Sequence, residues 1–318
     1  MTKSLSYNNF SNSNSNSNSQ TVNSPLKWIR WLVNKIAIAT LILMAIGAAT
    51  RVMNAGLACP DWPLCYGQVI PTQQMNLQVF LEWFHRLDAS LIGLSTIVLV
   101  GLSWWFKSQL PKWLPMASIF ALFLIVFQGV LGGLTVTQLL RFDIVTAHLG
   151  TALLFFGTLV TIASFLTPVG VDAPSNNQTD YKKITIISTI ATIFVYLQCL
   201  LGGLVGSQWA AHQCFTGNQL CGVMNSHIIG VFPATITTIV LLVMTWRSGD
   251  IAPQLKTTAK YIALILVGQI SLGIATFYLH LQVEPLTIAH HTMGAGLFAS
   301  LIYFSIISSK SKSSIVKT

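Results

Sequence analysis

Four of the seven histidines recur along the chain at a fixed interval. His85 and His227 are 142 residues apart, and so are His148 and His290. Each falls near one end of a long apolar segment, where a polar side chain is costly to bury and usually serves a function. A single intramembrane histidine most often hydrogen-bonds a neighbouring helix. Four at matched depth, two in each half of the chain, indicate ligands.

The histidine pattern favours haem over zinc. No set of carboxylates or thiolates accompanies all four histidines in the sequence to complete a tetrahedral zinc site. Paired imidazoles on haem iron need one histidine from each of two helices. A flat porphyrin also needs small residues near its ligands, and these follow three or four positions after each histidine: Ala89, Ala152, Gly230 and Gly294. We therefore predict one bis-histidine haem per half.

The remaining histidines do not share this spacing. His212 and His280 lie near predicted loops, and we interpret them as surface or interfacial side chains. His291 adjoins His290 but lies about 100° around the helix from it. We predict that His291 is a neighbour of the cofactor rather than a ligand.

Charged residues are distributed unequally between the halves. From Ile184 to Trp246 there are none, whereas the first half carries seven near its histidines: Arg51, Asp61, Glu82, Arg86, Asp88, Arg141 and Asp143. Glu82, His85 and Arg86 share one helical face. A carboxylate one turn from a haem ligand can stabilise positive charge or move protons. The alternative is an interfacial Glu82–Arg86 ion pair. The asymmetry predicts chemistry in the first half and a resident cofactor in the second.

Four of the five cysteines form close pairs, one pair in each half: Cys59 with Cys65, and Cys214 with Cys221. In an oxidising compartment such pairs predict two short-loop disulfides. These bridges are either loop staples or, for the pair beside the charged cluster, redox-active. Cys199 lies in the middle of an apolar segment and is interpreted as a packing residue.

The composition indicates a membrane protein. Of 318 residues, 8% are charged and 53% hydrophobic, and the mean hydropathy is +0.66. Soluble domains have ~25% charged residues, so an ordinary cytosolic enzyme and a disordered protein are excluded. Apolar segments too long for the ~10-residue strands of barrels cover eight regions: Trp31–Ala49, Phe80–Phe106, Trp113–Leu134, Val145–Leu166, Ile184–Gly206, Val223–Trp246, Ala259–Leu281 and Leu286–Ile307.

These segments divide into two halves of four. The third and seventh share a glycine-containing phrase that begins at Gln128 and Gln269. An even number of segments per half makes the repeat parallel, about an axis along the membrane normal. We predict an all-α integral membrane protein with eight transmembrane helices in two pseudo-symmetric four-helix bundles. The predicted divisions are a disordered cytoplasmic tail (1–24), the first half (25–170), a cytoplasmic linker (171–183), the second half (184–309) and a cytoplasmic tail (310–318).

Positive charge orients the segments. If the N-terminus lies in the cytoplasm, 14 of the 17 Lys and Arg residues fall on the cytoplasmic side. The outer side keeps Arg51, Arg86 and Arg141. Cytoplasmic loops are enriched in Lys and Arg. The distribution therefore predicts that both termini are cytoplasmic and that the paired histidines lie near the outer face.

Several motifs resemble haem A synthase of the bacterial type with paired cysteines in outer loops. They are Thr50-Arg51, the run from Gly56 to Gly67 that contains Cys-Pro-Asp-Trp-Pro-Leu-Cys, Glu82-Trp83-Phe84-His85-Arg86, His148 with the Leu-Gly-Thr-Ala that follows it, His227 and His290. The resemblance covers roughly residues 31–307. It implies an oxidoreductase of a prokaryotic cell membrane, or of an internal membrane, that makes haem A for terminal oxidases.

The implied reaction oxidises the C8 methyl group of haem O to a formyl group by successive hydroxylations. The resemblance implies that His227 and His290 ligate a resident haem b and that substrate haem O binds between His85 and His148. It also implies that Glu82 is the catalytic carboxylate.

The resemblance also suggests partners. We expect Arg51 and Arg86 to bind haem propionates, because a fork of donors suits a carboxylate. Haem O synthase is the expected donor of substrate, the electron acceptor is left open, and no nucleic acid is expected.

The alternative function is a di-haem b membrane electron carrier without substrate chemistry, which would hold two permanent haems and have no need of Glu82.

Overall fold

The structure is a computed structural model that describes residues 24–168, 178–206, 221–249, 251–279 and 282–315. Within these ranges the chain forms eight long helices, and each is long and apolar enough to cross a membrane. They are α1 (Ser24–Val52), α2 (Leu77–Trp105), α3 (Leu114–Thr137), α4 (Phe142–Leu166), α5 (Gln178–Val205), α6 (Cys221–Arg247), α7 (Pro253–Tyr278) and α8 (Glu284–Ile315). The predicted all-helical membrane architecture is confirmed.

Several helices are longer than the apolar runs that predicted them. α1 begins at Ser24, ahead of the apolar residues, and α8 continues to Ile315. Lys and Arg are good helix formers, and their long side chains reach water from a helix end at a membrane surface. Helical hydrogen bonding therefore continues past the hydrocarbon boundary, which hydropathy alone does not reveal.

Local signals fix where some of these helices start. The Asn76 side chain accepts a hydrogen bond from the backbone N–H of Val79 at 3.0 Å and caps α2. α3 and α7 carry proline in the first turn, where the missing N–H costs nothing. The cap at Asn76 places His85 about two turns into α2.

The helices pack as two closed rings of four. In the first half α1 contacts α2, α2 contacts α3, α3 contacts α4, and α4 contacts α1; helices α5 to α8 repeat this order. The halves meet through α1–α8, α4–α8 and α4–α5 contacts, a set that a twofold rotation between the halves maps onto itself. The two pseudo-symmetric bundles are therefore those predicted from the repeat.

The core lies where α4 and α8 meet. Phe155, Leu159, Leu301 and Phe304 are at most 1% exposed there. Large apolar side chains such as that of Leu264 are instead 70% exposed, as expected for a surface in contact with lipid. The buried contact between α4 and α8 holds the two halves, and therefore the two histidine pairs, in a fixed relation.

Candidate functional site

Each of the four repeated histidines packs against a glycine of the preceding helix. The measure is the distance from the histidine Cε1 atom to the point that a Cβ on the glycine would occupy. It is 2.9 Å for His85 over Gly47, 3.3 Å for His148 over Gly132, 3.0 Å for His227 over Gly202, and 2.9 Å for His290 over Gly273. A methyl group at these positions would press on the imidazole, so the glycines let the rings lie directly on the helix backbone.

Each imidazole also interacts with a main-chain group four residues before its glycine, at Leu43, Gln128, Gln198 and Gln269 in turn. The Nδ1 atoms of His85, His148 and His290 are buried and make no full hydrogen bond. A histidine whose Nδ1 faces the protein in this way is oriented to offer Nε2 to a metal. The four rings therefore share one orientation.

Glutamines tie the histidine helices to their neighbours. The Nε2 atom of Gln128 donates to the carbonyl oxygen of His148 at 2.8 Å, and that of Gln198 donates to the carbonyl oxygen of His227 at 2.8 Å. The Gln198 amide also lies 3.0 Å from Nδ1 of His227. The sequence analysis did not assign these glutamines a role. The sequence does contain a pattern that could have identified them, because a glutamine stands four residues before the contact glycine in α3, α5 and α7.

Two of the small residues expected to make room for a porphyrin have another role. The space beside Gly230 is filled by the side chains of Gln198 and Leu201, and that beside Gly294 by Gln269 at 3.2 Å. Gly230 and Gly294 therefore accommodate cross-helix side chains. The glycines beneath the histidine rings, in the preceding helices, are the ones that determine where the rings lie.

The geometry of the second histidine pair fits a cofactor with a central metal that the two rings of the pair bind together. The ring centroids of His227 and His290 are 6.5 Å apart and their planes cross at 87°. Two imidazoles that ligate one metal at ~2.0 Å from their nitrogens have centroids ~6 Å apart. His148 lies close enough to His85 for the two imidazoles to interact electrostatically. No group of three or more His, Cys, Asp or Glu residues is placed to hold a bare metal ion in the described ranges.

His291 occupies a different position from the paired histidines. Its ring is 6.4 Å from that of His290, and its Nε2 lies 3.5 Å from the point where a Cβ of Gly206 would stand. Arg51 of α1 is among its electrostatic neighbours. His291 therefore lies beside the second pair, where the two halves meet. His212 and His280 fall outside the described residues.

Glu82 and Arg86 form a buried ion pair that anchors the loop before α2. Glu82 is 4% exposed; its Oε1 lies 2.5 Å from Nη2 of Arg86, and its Oε2 accepts from the backbone N–H of Cys59 at 2.7 Å. Arg86 donates to the carbonyl oxygens of Asp61 at 2.6 Å and Leu64 at 2.5 Å. The structure thus places the Glu82 carboxylate one turn from His85, with both oxygens already engaged.

The anchored loop contains the predicted first disulfide. Cys59 and Cys65 are bridged, with their Cα atoms 4.8 Å apart. The carboxylate of Asp61 accepts from the backbone N–H groups of Gly67 at 2.7 Å and Tyr66 at 2.6 Å. These hydrogen bonds, chiefly that from Gly67, lower the pKa of Asp61. Gly67 has φ +68°, a conformation that glycine adopts without strain.

The loop also covers part of the first half. The indole of Trp62 lies 3.2 Å from the Cβ position of Gly133 in α3, directly after the Gly132 that supports His148. Among the described residues the second pair has no comparable charged loop. The two histidine pairs therefore pack on glycines in the same way, and within the described ranges the first pair has a charged loop beside it.

The second disulfide stays a prediction, because Cys214 and the side chain of Cys221 lie outside what the structure describes. Peptide mass mapping of freshly isolated protein without reductant should find two intramolecular bridges, Cys59–Cys65 and Cys214–Cys221. Thiol labelling should modify Cys199 only after unfolding, because its side chain packs within the second half. Labelling of Cys214 and Cys221 in native membranes would refute the second bridge.

The three arginines predicted on the outer side are not brought together. Arg86 holds the disulfide loop, and Arg141 pairs with Asp143 at 2.7 Å on the surface. Arg51 extends across the boundary between the halves, where its Nη2 donates to the carbonyl oxygen of Gly203 in α5 at 2.5 Å. Arg86 therefore contacts the loop and helix of the first half, whereas Arg51 contacts the second half.

Comparison with known proteins relates this arrangement to a family. Residues 30–302 match the family model described as cytochrome oxidase assembly protein. A heme A synthase from Shewanella oneidensis is 30% identical over 323 residues, covering 85% of this chain and 93% of that protein. The chain belongs to the haem A synthase family. The family match includes both histidine pairs and the disulfide loop.

More distant relatives match over nearly the same length. Heme A synthases from Shouchella clausii and Listeria monocytogenes are 26% and 24% identical and cover 87% and 89% of this chain. This chain in turn spans 95% and 96% of them. Family membership therefore rests on the whole eight-helix region and not on a single motif.

Proposed function

We propose that this protein is an oxidoreductase that converts haem O to haem A by oxidising the C8 methyl group of haem O to a formyl group. The observation that carries the proposal is the inequality of the two histidine pairs. In both pairs each histidine ring packs on a glycine of the preceding helix. Only the pair formed by His85 and His148 has, among the described residues, a buried carboxylate and a disulfide loop beside it. Equal ligands with one reactive environment suit one substrate haem and one resident haem.

The second half would hold the resident haem b through His227 and His290. Their 6.5 Å separation and the inward orientation of His290 support this assignment. When bound, the haem would take up and pass on single electrons. The protein's contribution is to fix both imidazoles, through Gly202 and Gly273 beneath them and through the Gln198 hydrogen bond.

The first half would hold haem O between His85 and His148, with successive hydroxylations of the methyl group and loss of water giving the formyl group. Oxidation builds positive charge at the reacting carbon. The Glu82 carboxylate is buried one turn from His85, where a fixed anion stabilises such charge more strongly than in water. Arg86 keeps that carboxylate oriented.

We assign the first-half site to residues 25–170 and the second-half site to residues 184–309. The enzyme would lie in a prokaryotic cell membrane, or an internal one, with both termini in the cytoplasm and the histidine end outside. The lysines and arginines at the opposite end of the bundle, such as Lys27 and Lys256, support this orientation. Haem O synthase would supply the substrate, and a separate acceptor would take the electrons.

The test is to express the protein in a bacterial host that makes haem O and has no haem A. Acid–acetone extracts of the membranes, separated by reversed-phase chromatography and mass analysis, should contain haem A. A folded protein that carries haem b but leaves haem O unchanged would contradict the proposal.

A di-haem b electron carrier is the second candidate. It is favoured by the engagement of both Glu82 oxygens, with Arg86 and with the Cys59 backbone, which is what an anchoring carboxylate would show. The identity of the haem in the first half separates the two candidates.

The glycines beneath the histidine rings give a direct prediction about the ligands. Replacing Gly273 with alanine should push the His290 ring away from its position, because the new methyl group would come within 2.9 Å of Cε1. The low-spin haem absorption and electron paramagnetic resonance signals of the purified protein should shift or weaken. Gly132→Ala should have a smaller effect on the haem signal of the first half, because its Cβ position is 3.3 Å from Cε1 of His148.

Gly296→Ala is a matched control in α8, since nothing lies within 4 Å of its Cβ position. It should leave the spectra unchanged, and alanine's higher helix propensity should favour folding. Equal spectra for Gly273→Ala and Gly296→Ala would show that the glycine does not determine the ring position.

A further inference from the structure

The end of the second half that carries its histidines contains no positive charge of its own. The sequence has no Lys or Arg between Lys183 and Arg247, and none between Lys260 and Lys310. Along the chain, the nearest Lys or Arg is 20 positions from His227, at Arg247, and 20 positions from His290, at Lys310. Twenty residues of helix span about 30 Å, so a Lys or Arg beside this pair has to come from the first half.

Arg51 is placed to be that cation. It lies in the last turn of α1, and its guanidinium crosses to α5, where Nη2 donates to the carbonyl oxygen of Gly203. The described residues form two Lys/Arg–carboxylate ion pairs, Glu82–Arg86 and Arg141–Asp143, and neither involves Arg51. One carbonyl oxygen satisfies one of the five N–H donors of the guanidinium and does not neutralise its charge.

Two further residues define a small pocket next to Arg51. The Cβ position of Gly206, at the end of α5, is 3.7 Å from Cζ of Arg51 and 3.5 Å from Nε2 of His291. The absent side chain at Gly206 leaves one space bordered by the Arg51 guanidinium, by Nε2 of His291 and by the carbonyl oxygen of Gly202, which lies 3.6 Å from the same point. We call Arg51, Gly206 and His291 the anion pocket.

The anion pocket adjoins the second histidine pair. His291 is next to His290 in sequence, with ring centroids 6.4 Å apart, and His227 is also among its electrostatic neighbours. A haem held by His227 and His290 would carry propionate carboxylates, which bind arginine forks through charge-assisted hydrogen bonds. Arg86, the other arginine expected to bind propionates, is occupied by the loop carbonyls.

We propose that Arg51 binds a propionate of the haem in the second half, with His291 as a second donor, so that the first half completes the cofactor site of the second. This rests on the proposed function for the presence of that haem. It assigns Arg51 to the resident haem and not to the substrate. A positive charge there also favours the reduced iron, so Arg51 would raise the reduction potential of this haem.

The test uses the purified full-length protein with its bound haem. Arg51→Gln should lower the midpoint potential of haem b in a redox titration. It should also speed haem transfer to apomyoglobin by about tenfold or more, the scale of one charge-assisted hydrogen bond. Arg51→Lys, which keeps the charge but not the fork, should retain most of the potential and show intermediate transfer. Arg141→Gln removes an outer arginine that is 60% exposed and should change neither quantity.

Three results would overturn the assignment. Arg51→Gln could match Arg141→Gln in both measurements, or it could release the first-half haem while haem b is unaffected. Arg51→Lys could behave like Arg51→Gln in potential, which would remove the electrostatic role. Haem A formation by the unaltered protein is measured in parallel, and its absence would contradict the proposed function. If the unaltered protein forms haem A, but Arg51→Gln has an unchanged haem b potential and transfer rate, only the present inference is contradicted.

Discussion

Replacing His227 or His290 with alanine should abolish the low-spin haem b spectrum of the purified protein. The centroids of the two imidazole rings are 6.5 Å apart and their planes cross at 87°, and the proposed bis-histidine haem needs both rings as ligands. Loss of either leaves a five-coordinate or empty site, so the expected effect is loss of the signal and not a small shift. The measurement is the reduced-minus-oxidised spectrum with haem quantified per protein.

His291→Ala is the matched comparison, because His291 is adjacent in sequence and equally a half-buried imidazole. The variant should keep the low-spin spectrum, since Nε2 of His291 lies 3.5 Å from the Cβ position of Gly206 and the repeat assigns the two ligand positions to His227 and His290. If His291→Ala abolished the spectrum while His290→Ala preserved it, the register of the repeat would be wrong by one residue.

Glu82→Gln should reduce haem A formation by ~100-fold, the scale of one preorganised electrostatic group. Glutamine keeps the size of the side chain and can still accept from the Cys59 backbone, but it removes the negative charge. The variant should therefore fold, retain the Cys59–Cys65 bridge and bind haem, while haem O or a hydroxylated intermediate accumulates. Haem extraction and chromatography on matched membrane preparations provide the measurement.

The structure makes the alternative role of Glu82 more specific. Because the Glu82–Arg86 pair is buried, breaking it should destabilise the protein by about 3–5 kcal/mol in either role. A purely anchoring role predicts normal turnover per folded molecule, whereas the catalytic role predicts its loss. Thermal unfolding measured beside turnover separates the two roles. Asp143→Asn removes a surface carboxylate from an ion pair and should alter neither. Wild-type haem A levels in Glu82→Gln would rule out the catalytic role.

The fold was predictable because its determinants are patterns that can be read along the sequence. Eight apolar segments and a 142-residue histidine interval are enough to specify two equivalent bundles. The disulfide between Cys59 and Cys65 was also predictable, since the two cysteines are six positions apart in the sequence. Helix ends were less predictable, because hydropathy falls at charged residues such as Lys27 although the helix continues through them.

Contacts between distant segments could not be read in advance. Nothing in the sequence near Arg51 indicates that its partner is a carbonyl oxygen in α5, 152 residues away. Likewise, the sequence shows where the glycines are, but whether a glycine lies against a histidine depends on the rotation of its helix, which is set by packing against several neighbours. The roles of Gln128 and Gln198 emerged from the same three-dimensional arrangement.

The central claim is that the two histidine pairs hold two different haems. Extraction and mass identification of the haems in purified protein tests it most directly, with His85→Ala and His227→Ala run in parallel. We predict haem b together with haem O or haem A, with His227→Ala losing haem b and His85→Ala losing the other haem. Two equivalents of haem b alone, with function intact in Glu82→Gln, would contradict the account and identify an electron carrier.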